Sequence, residues 1–293
     1  MPTGIPTNRT NIDLPPAISA EIIQTTTESS AIMQLARQIE LPGRGTTIPV
    51  ITGDPEAAWV GETEKKPVSN PGVTKKIMQP YKLAVLVPFS MEFRRDAAAL
   101  YDALVSRLPD ALGRKFDQTV IGAVAKPGDN FDSLGDADAF ALTTGSEYEA
   151  LVNADAHVSA AGGITNGVAL SPQGKSALLK AVDGDKRPLF VNNVSEGAIP
   201  YVLGAPVYLN RGLYKAAGEE ETDLAVVGIL GDWTKALYGT VEGVRIGYSE
   251  DATLTIDGEQ VNLFEQNMFA VKAEIEIGFR ADVDAFARLT LGE

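Results

Sequence analysis

Apolar residues recur along this chain with two distinct periods, and each period marks a different kind of element. From Leu100 they fall at every fourth position, Leu104, Leu108, Leu112, Phe116 and Val120, with Val105, Ala111 and Ile121 widening the stripe. That spacing predicts one long amphipathic helix, with Asp102, Arg107, Asp110, Arg114, Lys115 and Asp117 on its wet face. At about 1.5 Å per residue it would run roughly 30 Å, and Pro109 and Gly113 are places for it to bend. Near the end of the chain the period drops to two. Phe269, Val271, Ala273, Ile275, Ile277 and Phe279 alternate with Lys272, Glu274 and Glu276, which predicts a strand with one buried face, turned toward the long helix. Val241, Val244, Ile246 and Tyr248 read as another strand, and Leu254 and Ile256 as a third beside the hairpin signal Asp257-Gly258. Leu83 to Phe89 is an unbroken apolar run closed by Pro88, the pattern of a strand inside a sheet.

The remaining stretches are weaker signals. Residues 1–15 are rich in Pro, Thr and Asn and read as an arm without order of its own. Ser19 to Ile23 and Ser30 to Ile39 look like short helices, the second with Ile32, Met33, Leu35, Ala36 and Ile39 on one stripe, and Thr46 to Ile51 alternates as a strand. Ala57 to Thr74 reads as a hairpin: a short apolar strand with Trp59 and Val60, then a charged tip. A hairpin of that size is marginal alone and must lean on something outside its own segment. Lys126 to Asp138 is a Gly- and Asp-rich boundary loop, and 139–235 reads as a compact α/β module. In that module Ser146 to Ala161 is helical, and Ser171-Pro172 starts a second helix that runs to Val182. Strands follow at Pro206 to Asn210 and Leu224 to Leu230.

Composition removes several chemistries. The 293 residues contain no cysteine and one histidine, His157, so disulfides, thiolate catalysis, two-histidine zinc sites and a histidine triad with a spare histidine are all excluded. Residues 1–124 hold 13 basic and 13 acidic side chains, whereas residues 125–293 hold 12 basic and 26 acidic, so the whole net charge of −14 sits in the back half. Such a surface repels phosphate, which argues against tight or sequence-specific nucleic-acid binding. No apolar stretch is long enough for a membrane span, and MPTGIPTNRT has no secretory pattern, so synthesis in the cytoplasm is expected. Asp129, Asp132, Asp136 and Asp138 invite a calcium reading, but their spacing is not that of an EF-hand loop. Gly174-Lys175-Ser176 fails as a phosphate loop because Ala169 stands where a glycine is required.

A protruding hairpin, a strand and one long amphipathic helix, in that order, have a counterpart. The runs A-x-W-V-G-E-x-x-K-K-P-x-S-N-P at Ala57 to Pro71 and P-Y-K-L-A-V-x-V-P-x-S at Pro80 to Ser90, with Met91 to Asp96 after them, resemble the major capsid proteins of tailed bacteriophages. Val168 to Pro172 and Asn267 to Phe286 add to the likeness, which covers the chain from about Ile12 onward. The resemblance implies an α+β, Hong Kong 97-type capsid fold. Its expected parts are an N-terminal arm (1–43), an extended β-hairpin loop (44–82), a peripheral domain with spine helix and sheet (83–128 and 237–293) and an α/β axial domain (129–236). It also implies a major capsid protein that self-assembles, as pentamers and hexamers, into an icosahedral shell around double-stranded DNA. The shell would be located in the virion and put together in the host cytoplasm. Partners in that reading are further copies of the chain, a portal protein, and a separate scaffolding protein and a decoration protein as options, with no cofactor and no metal. Little or no N-terminal proteolysis is expected.

Contacts between copies are assigned to the hairpin and its flanks: Trp59, Glu62, Glu64, Lys65, Lys66, Lys75, Lys76, Arg94 and Arg95. Acid leads and base follows there, so opposite signs can meet across a repeated contact; a merely solvated loop is the other reading. Some relatives weld their shells by a lysine attacking an asparagine with a glutamate as base. The matching positions are Lys66 before Pro67, Asn267 before Met268, and Glu274. The same residues serve equally well in a noncovalent salt contact, and no catalytic residue is assigned beyond them. Two other functions compete: an encapsulin-type compartment shell, which usually begins with a helix where this chain has a polar arm, and a hydrolase using Glu62 and Glu64.

Overall fold

The computed structural model describes residues 29–51, 73–92, 105–183, 201–218, 223–256 and 258–292, with positions 26, 59, 60, 62, 65, 66, 68, 185, 187–190 and 199 in addition. In chain order the elements are α1 (Ala31–Leu35), β1 (Arg37–Glu40), β2 (Thr46–Ile51), β3 (Val73–Met78), β4 (Tyr81–Ser90) and α2 (Leu108–Val120). Then come β5 (Asp138–Leu142), α3 (Glu147–Ala160), β6 (Gly167–Leu170), α4 (Pro172–Lys180), β7 (Tyr201–Val202), β8 (Ala205–Leu209) and β9 (Val226–Gly231). The last six are β10 (Ala236–Thr240), β11 (Arg245–Ser249), β12 (Thr253–Ile256), β13 (Glu259–Asn262), β14 (Met268–Ala281) and β15 (Phe286–Leu291).

These strands build two principal sheets and two hairpins. In the first sheet, β14 is the axis: it pairs with β4 on one side and with β10 and β11 on the other, and β1 adds parallel to β10. The second sheet has six strands in the order β5-β15-β9-β6-β8-β7. The hairpins β2–β3 and β12–β13 stand apart as two-stranded ribbons. The period-two reading of β14 matches its packing, with Phe269, Val271, Ala273, Ile275, Ile277 and Phe279 all buried.

The helix α2 joins the two sheets. Its stripe is split: Leu108 and Leu112 pack with Phe89, Val244 and Phe269 on the first sheet, while Phe116 and Val120 enter a core shared by α1, β14, Phe131 and the six-stranded sheet. Each such side chain contributes on the order of 1.5–3 kcal/mol through burial, so the helix is held along its length. A third core lies between α3, α4 and the six-stranded sheet. Ser171 starts α4 by accepting the Gly174 amide at 3.1 Å, as its position ahead of Pro172 predicts.

Several expectations need correction. The predicted helix Ser30 to Ile39 ends at Leu35, because the chain then turns extended at Ala36 and Arg37–Glu40 pairs as β1 with β10. The long helix predicted from Leu100 is interrupted just ahead of Pro109: Val105 is helical, Ser106 and Arg107 form a turn, and α2 begins at Leu108 with Pro109 in its first turn, where a missing N–H costs nothing. Gly113 marks a crossing instead: a Cβ there would lie 2.6 Å from Ser29 Oγ and 3.1 Å from the Thr26 carbonyl oxygen. Asp117, expected on the wet face, is fully buried. The run Leu83 to Phe89 lies on a strand with one partner, β14, among the described residues; Tyr81, Leu83, Val85, Val87 and Phe89 turn inward and Lys82, Ala84 and Leu86 are exposed. Of the strand predicted from Val241 to Tyr248 only the latter half forms, as β11; Val241 to Val244 make the connection from β10, which ends at Thr240. The division that runs 237–293 through the peripheral part fails at its end, since β15 lies in the six-stranded sheet between β5 and β9.

Candidate intersubunit contact sites

The hairpin β2–β3 is fastened at its root by a polar joint. Arg280, at the end of β14, is nearly buried, and its guanidinium donates three ways: Nη1 to Asp132 Oδ1 at 2.6 Å, Nη2 to Asn130 Oδ1 at 2.8 Å, and Nε to the Ile77 carbonyl of β3 at 2.8 Å. Asp132 Oδ2 accepts the Ala281 amide at 3.1 Å and lies 3.5 Å from Lys76 Nζ, which itself donates to the Ala281 carbonyl at 2.8 Å. Hairpin, first sheet and the loop leading from α2 to the second sheet therefore meet at one charged knot. Lys76, assigned from sequence to contacts between copies, is consumed here by its own chain. Asp132 is likewise committed, to Arg280, and Asp138 lies 3.6 Å from His157 Nδ1, so both of these carboxylates of the Asp-rich loop have partners in the same chain. Among the described residues no group of three His, Cys, Asp or Glu side chains could hold a metal ion.

Toward its tip the ribbon is the opposite case. Trp59 is fully exposed, at 104% of its reference surface, and Val68 is at 82%. Glu62, Lys65, Lys66 and Lys75 are exposed. Glu64, Arg94 and Arg95 lie outside the described residues.

The other named positions sit along β14. Asn267 is exposed, takes a positive φ of 52° in the turn before the strand, and offers its carbonyl to the Met91 amide at 2.9 Å. Glu274 lies on the outer face of the sheet, with its side chain 16% exposed and paired at 3.0 Å with Lys272. It shares a small notch with Glu242, Arg245 and Glu276; Arg245 pairs with Glu242, and Glu276 with Lys82 at 3.3 Å. At about 3.4 Å per residue, seven residues of strand put Asn267 and Glu274 roughly 24 Å apart. One subunit cannot bring them together.

Two carboxylates escaped the sequence reading. Asp117 accepts from Ser30 Oγ at 2.6 Å, the Ala31 amide at 3.1 Å and the Ile32 amide at 3.4 Å, so it caps α1 from the middle of α2. Burial pushes its carboxyl up to about 7 against the pull of those three donors. Ser30 Oγ also accepts the Met33 amide at 3.1 Å, and Asn210 donates to the Ser29 carbonyl, which ties the same spot to the six-stranded sheet. Asp232 gathers the Ile164 and Thr234 amides, the Thr234 hydroxyl and the Asn166 side chain. Burial alone would raise its carboxyl, but these bonds and the Lys235 charge bring it below the usual carboxylate value. Gly113 and Asp117, one turn apart on α2, are the signal that could have revealed the crossing.

Two sheets bridged by a spine helix, with a root-fastened hairpin whose outer loop leaves Trp59 and Val68 uncovered among charged residues, describe a subunit built for assembly. The phage capsid family profile matches residues 12–291, and the chain belongs to that family. It is 30% identical over 285 residues to the probable major capsid protein gp17 of Mycobacterium phage L5, covering 89% of this chain and 84% of that one. It is 26% identical over 283 residues to the major capsid protein of Staphylococcus phage 80alpha, covering 92% and 82%. Among solved structures it superposes on a chain of Gordonia phage Cozz with a TM-score of 0.73 at 25% identity, covering 90% and 87%. It also superposes on a chain of the native GTA particle capsid with a TM-score of 0.63 at 16% identity, covering 91% of each. The α+β fold is of the Hong Kong 97 type, and the protein is a major capsid protein of the phage kind, a building block of a multi-subunit shell in the virion. The encapsulin alternative is not favoured.

Proposed function

We propose that copies of this chain close into an icosahedral shell of pentamers and hexamers around double-stranded phage DNA, each hairpin tip lying on a neighbouring copy. The observation that carries this reading is the contrast along one ribbon: an anchored root and a wholly exposed Trp59 at the far end. An indole held in water gains nothing for the free subunit, whereas covering it stabilises a contact by on the order of 2 kcal/mol. In this reading the exposed Lys65 and Lys66 meet the neighbour's notch of Glu242, Glu274 and Glu276, whose carboxylates they share with Arg245, Lys272 and Lys82 of that subunit. A noncovalent salt contact is the reading supported by the Lys272 ion pair that already engages Glu274. Lys75, exposed on β3, adds positive charge to the hairpin. The acidic back half encloses the nucleic acid as a wall and reads no sequence. The role is structural and needs no catalysis; a portal protein, and separate scaffolding and decoration proteins where present, join the shell as it forms in the host cytoplasm.

Electron microscopy of the purified protein under assembly conditions tests the reading. Closed particles are expected, and they dissociate to a single monomer band when boiled on a denaturing gel. A protein that stays monomeric under every assembly condition overturns it, and a ladder of covalent multimers overturns the noncovalent contact while leaving the shell.

A further inference from the structure

Between the start of β4 and the second half of α2 the surface opens into an apolar recess of about 170 Å³, lined chiefly by Tyr81, Leu83, Phe116, Val124, Pro127 and Phe131. Its walls follow from the local pattern. Tyr81 and Leu83 are odd-numbered residues of β4 and turn inward, as a period of two requires, whereas α2 ends at Val120 and the chain leaves it through Gly122, at a φ of 76°, into the loop that carries Val124, Pro127 and Phe131. The helix stops beside the start of the strand, and the loop lines the space between them without filling it.

The floor of the recess is rigid. Phe131 meets Tyr81 and Phe116 edge-on, with ring centres 6.2 and 6.3 Å apart, and Phe116 and Phe131 are each 2% exposed. The Tyr81 hydroxyl is engaged as well, accepting the Asn130 amide at 3.3 Å. Rings packed in this way do not swing in to close the space. A cavity of about 150 Å³ with apolar walls takes up benzene, so this recess has room for one ring or for an alkyl chain of about six to eight carbons.

Charge at the recess runs against that of the chain. The net charge is −14, and residues 125–293 hold 26 acidic against 12 basic side chains, yet the only charged residues lining the recess are Lys82 and Lys115. Lys115 is exposed and has no ion pair among the described residues. Lys82 pairs with Glu276 at 3.3 Å, but 58% and 38% of the two side chains are exposed, so the pair is a weak surface contact. The Thr119 hydroxyl, also at the wall, is spent on the Lys115 carbonyl at 2.8 Å. A molecule with an apolar body and one carboxylate matches both floor and rim. A cationic head of the same length meets two like charges, and a polar body strands its hydrogen-bonding groups against the rings.

We propose that this recess binds a free medium-chain monocarboxylate, its alkyl chain against Tyr81, Phe116 and Phe131 and its carboxylate at Lys82 and Lys115. The inference goes beyond the shell reading and does not depend on it, since every residue named belongs to one subunit. Bound there, the ligand touches β4, α2 and the loop toward the six-stranded sheet at once, and so stabilises the folded subunit as its occupancy rises.

Octanoate is the probe, with octan-1-ol and octylammonium as neutral and cationic analogues of equal length, and the target is the full chain held as free subunits. Titration calorimetry is expected to show saturable one-to-one binding of octanoate, about tenfold tighter than octanol and tighter still than octylammonium, with a melting temperature that climbs with octanoate concentration. Lys115→Gln is expected to weaken octanoate about threefold, and Lys82→Gln combined with Lys115→Gln about tenfold, with octanol unchanged in both. Val124→Phe, which fills the recess, abolishes binding of octanoate and octanol alike. A diazirine analogue of octanoic acid, activated by light, should mark the peptides that hold residues 81–83 and 115–131. No saturable binding of octanoate, equal affinity for octanoate and octylammonium, an unchanged affinity in the double lysine variant, or a label confined to other peptides would each overturn the proposal.

Discussion

The root and the tip of the hairpin are opposite solutions to one problem. At the root, Arg280, Asp132, Lys76 and the carbonyls of Ile77 and Ala281 satisfy one another inside the subunit, whereas at the tip Trp59 and Val68 satisfy nothing. Polar groups closed within one chain fix a direction. Apolar groups left open await a partner. The difference teaches how such a subunit can be at once stable alone and incomplete alone.

The largest effect that would break the comparison lies at the root. Arg280→Ala leaves the partly enclosed Asp132 carboxylate with only Lys76 and the Ala281 amide, and a cost of about 3 kcal/mol is expected in chemical denaturation, near the low end for breaking a buried pair because Asp132 keeps some water. Lys76→Ala, at a more exposed position, is expected to cost under about 1 kcal/mol. An equal loss for the two variants would mean that the knot is not organised around Arg280.

A second, somewhat smaller effect is expected where the chain's start is fastened to α2. Asp117→Ala strands the Ser30 hydroxyl and the Ala31 and Ile32 amides, for a loss of about 1–3 kcal/mol. The pH dependence has a definite sign. With its carboxyl raised from 3.8 to about 7 on folding, Asp117 keeps in the folded state a proton that the unfolded chain gives up. Its contribution therefore lowers stability as pH rises between about 4 and 7, by at most about 1.4 kcal/mol per unit, and is level above that window. Comparing the wild type with Asp117→Asn across this range isolates the slope: the difference between their unfolding free energies is expected to change with pH, and a constant difference would refute the assignment. Gly113→Ala, meeting Ser29 Oγ at 2.6 Å, is expected to cost about 1–2 kcal/mol in the same assay.

The smallest effect on the subunit is expected at the tip and is the sharpest contrast. Trp59→Ala should leave the free subunit's melting temperature within error, because a fully exposed side chain holds no contact there. The same variant is expected to lose most particle formation by light scattering. Destabilisation of the monomer would show that Trp59 packs on its own chain.

Much of this was legible in the residues themselves. The every-fourth stripe of α2 and the alternation of β14 are local patterns, written by elements that bury one face each. The split of α2's stripe between two cores was not legible, because it depends on which sheet meets which turn. Asp117 looked like one more wet-face carboxylate; it is buried by a segment 87 residues earlier in the chain whose crossing leaves only Gly113 as a trace. The Ser30 to Ile39 stripe misled for a related reason: after Ala36 the backbone gains more from a ladder with β10 than from another helical turn. Of the contact residues, the exposed Trp59, Lys65 and Lys66 stand where a partner can reach them, while Lys76 was claimed by Asp132, a pairing that no spacing in the sequence announces.

Mass photometry of the purified full-length chain, followed from subunit to assembly conditions, addresses the central claim most directly. Growth from subunits to a narrow distribution of closed, many-copy particles is the expected result, and a species that remains at the mass of one chain throughout would contradict it.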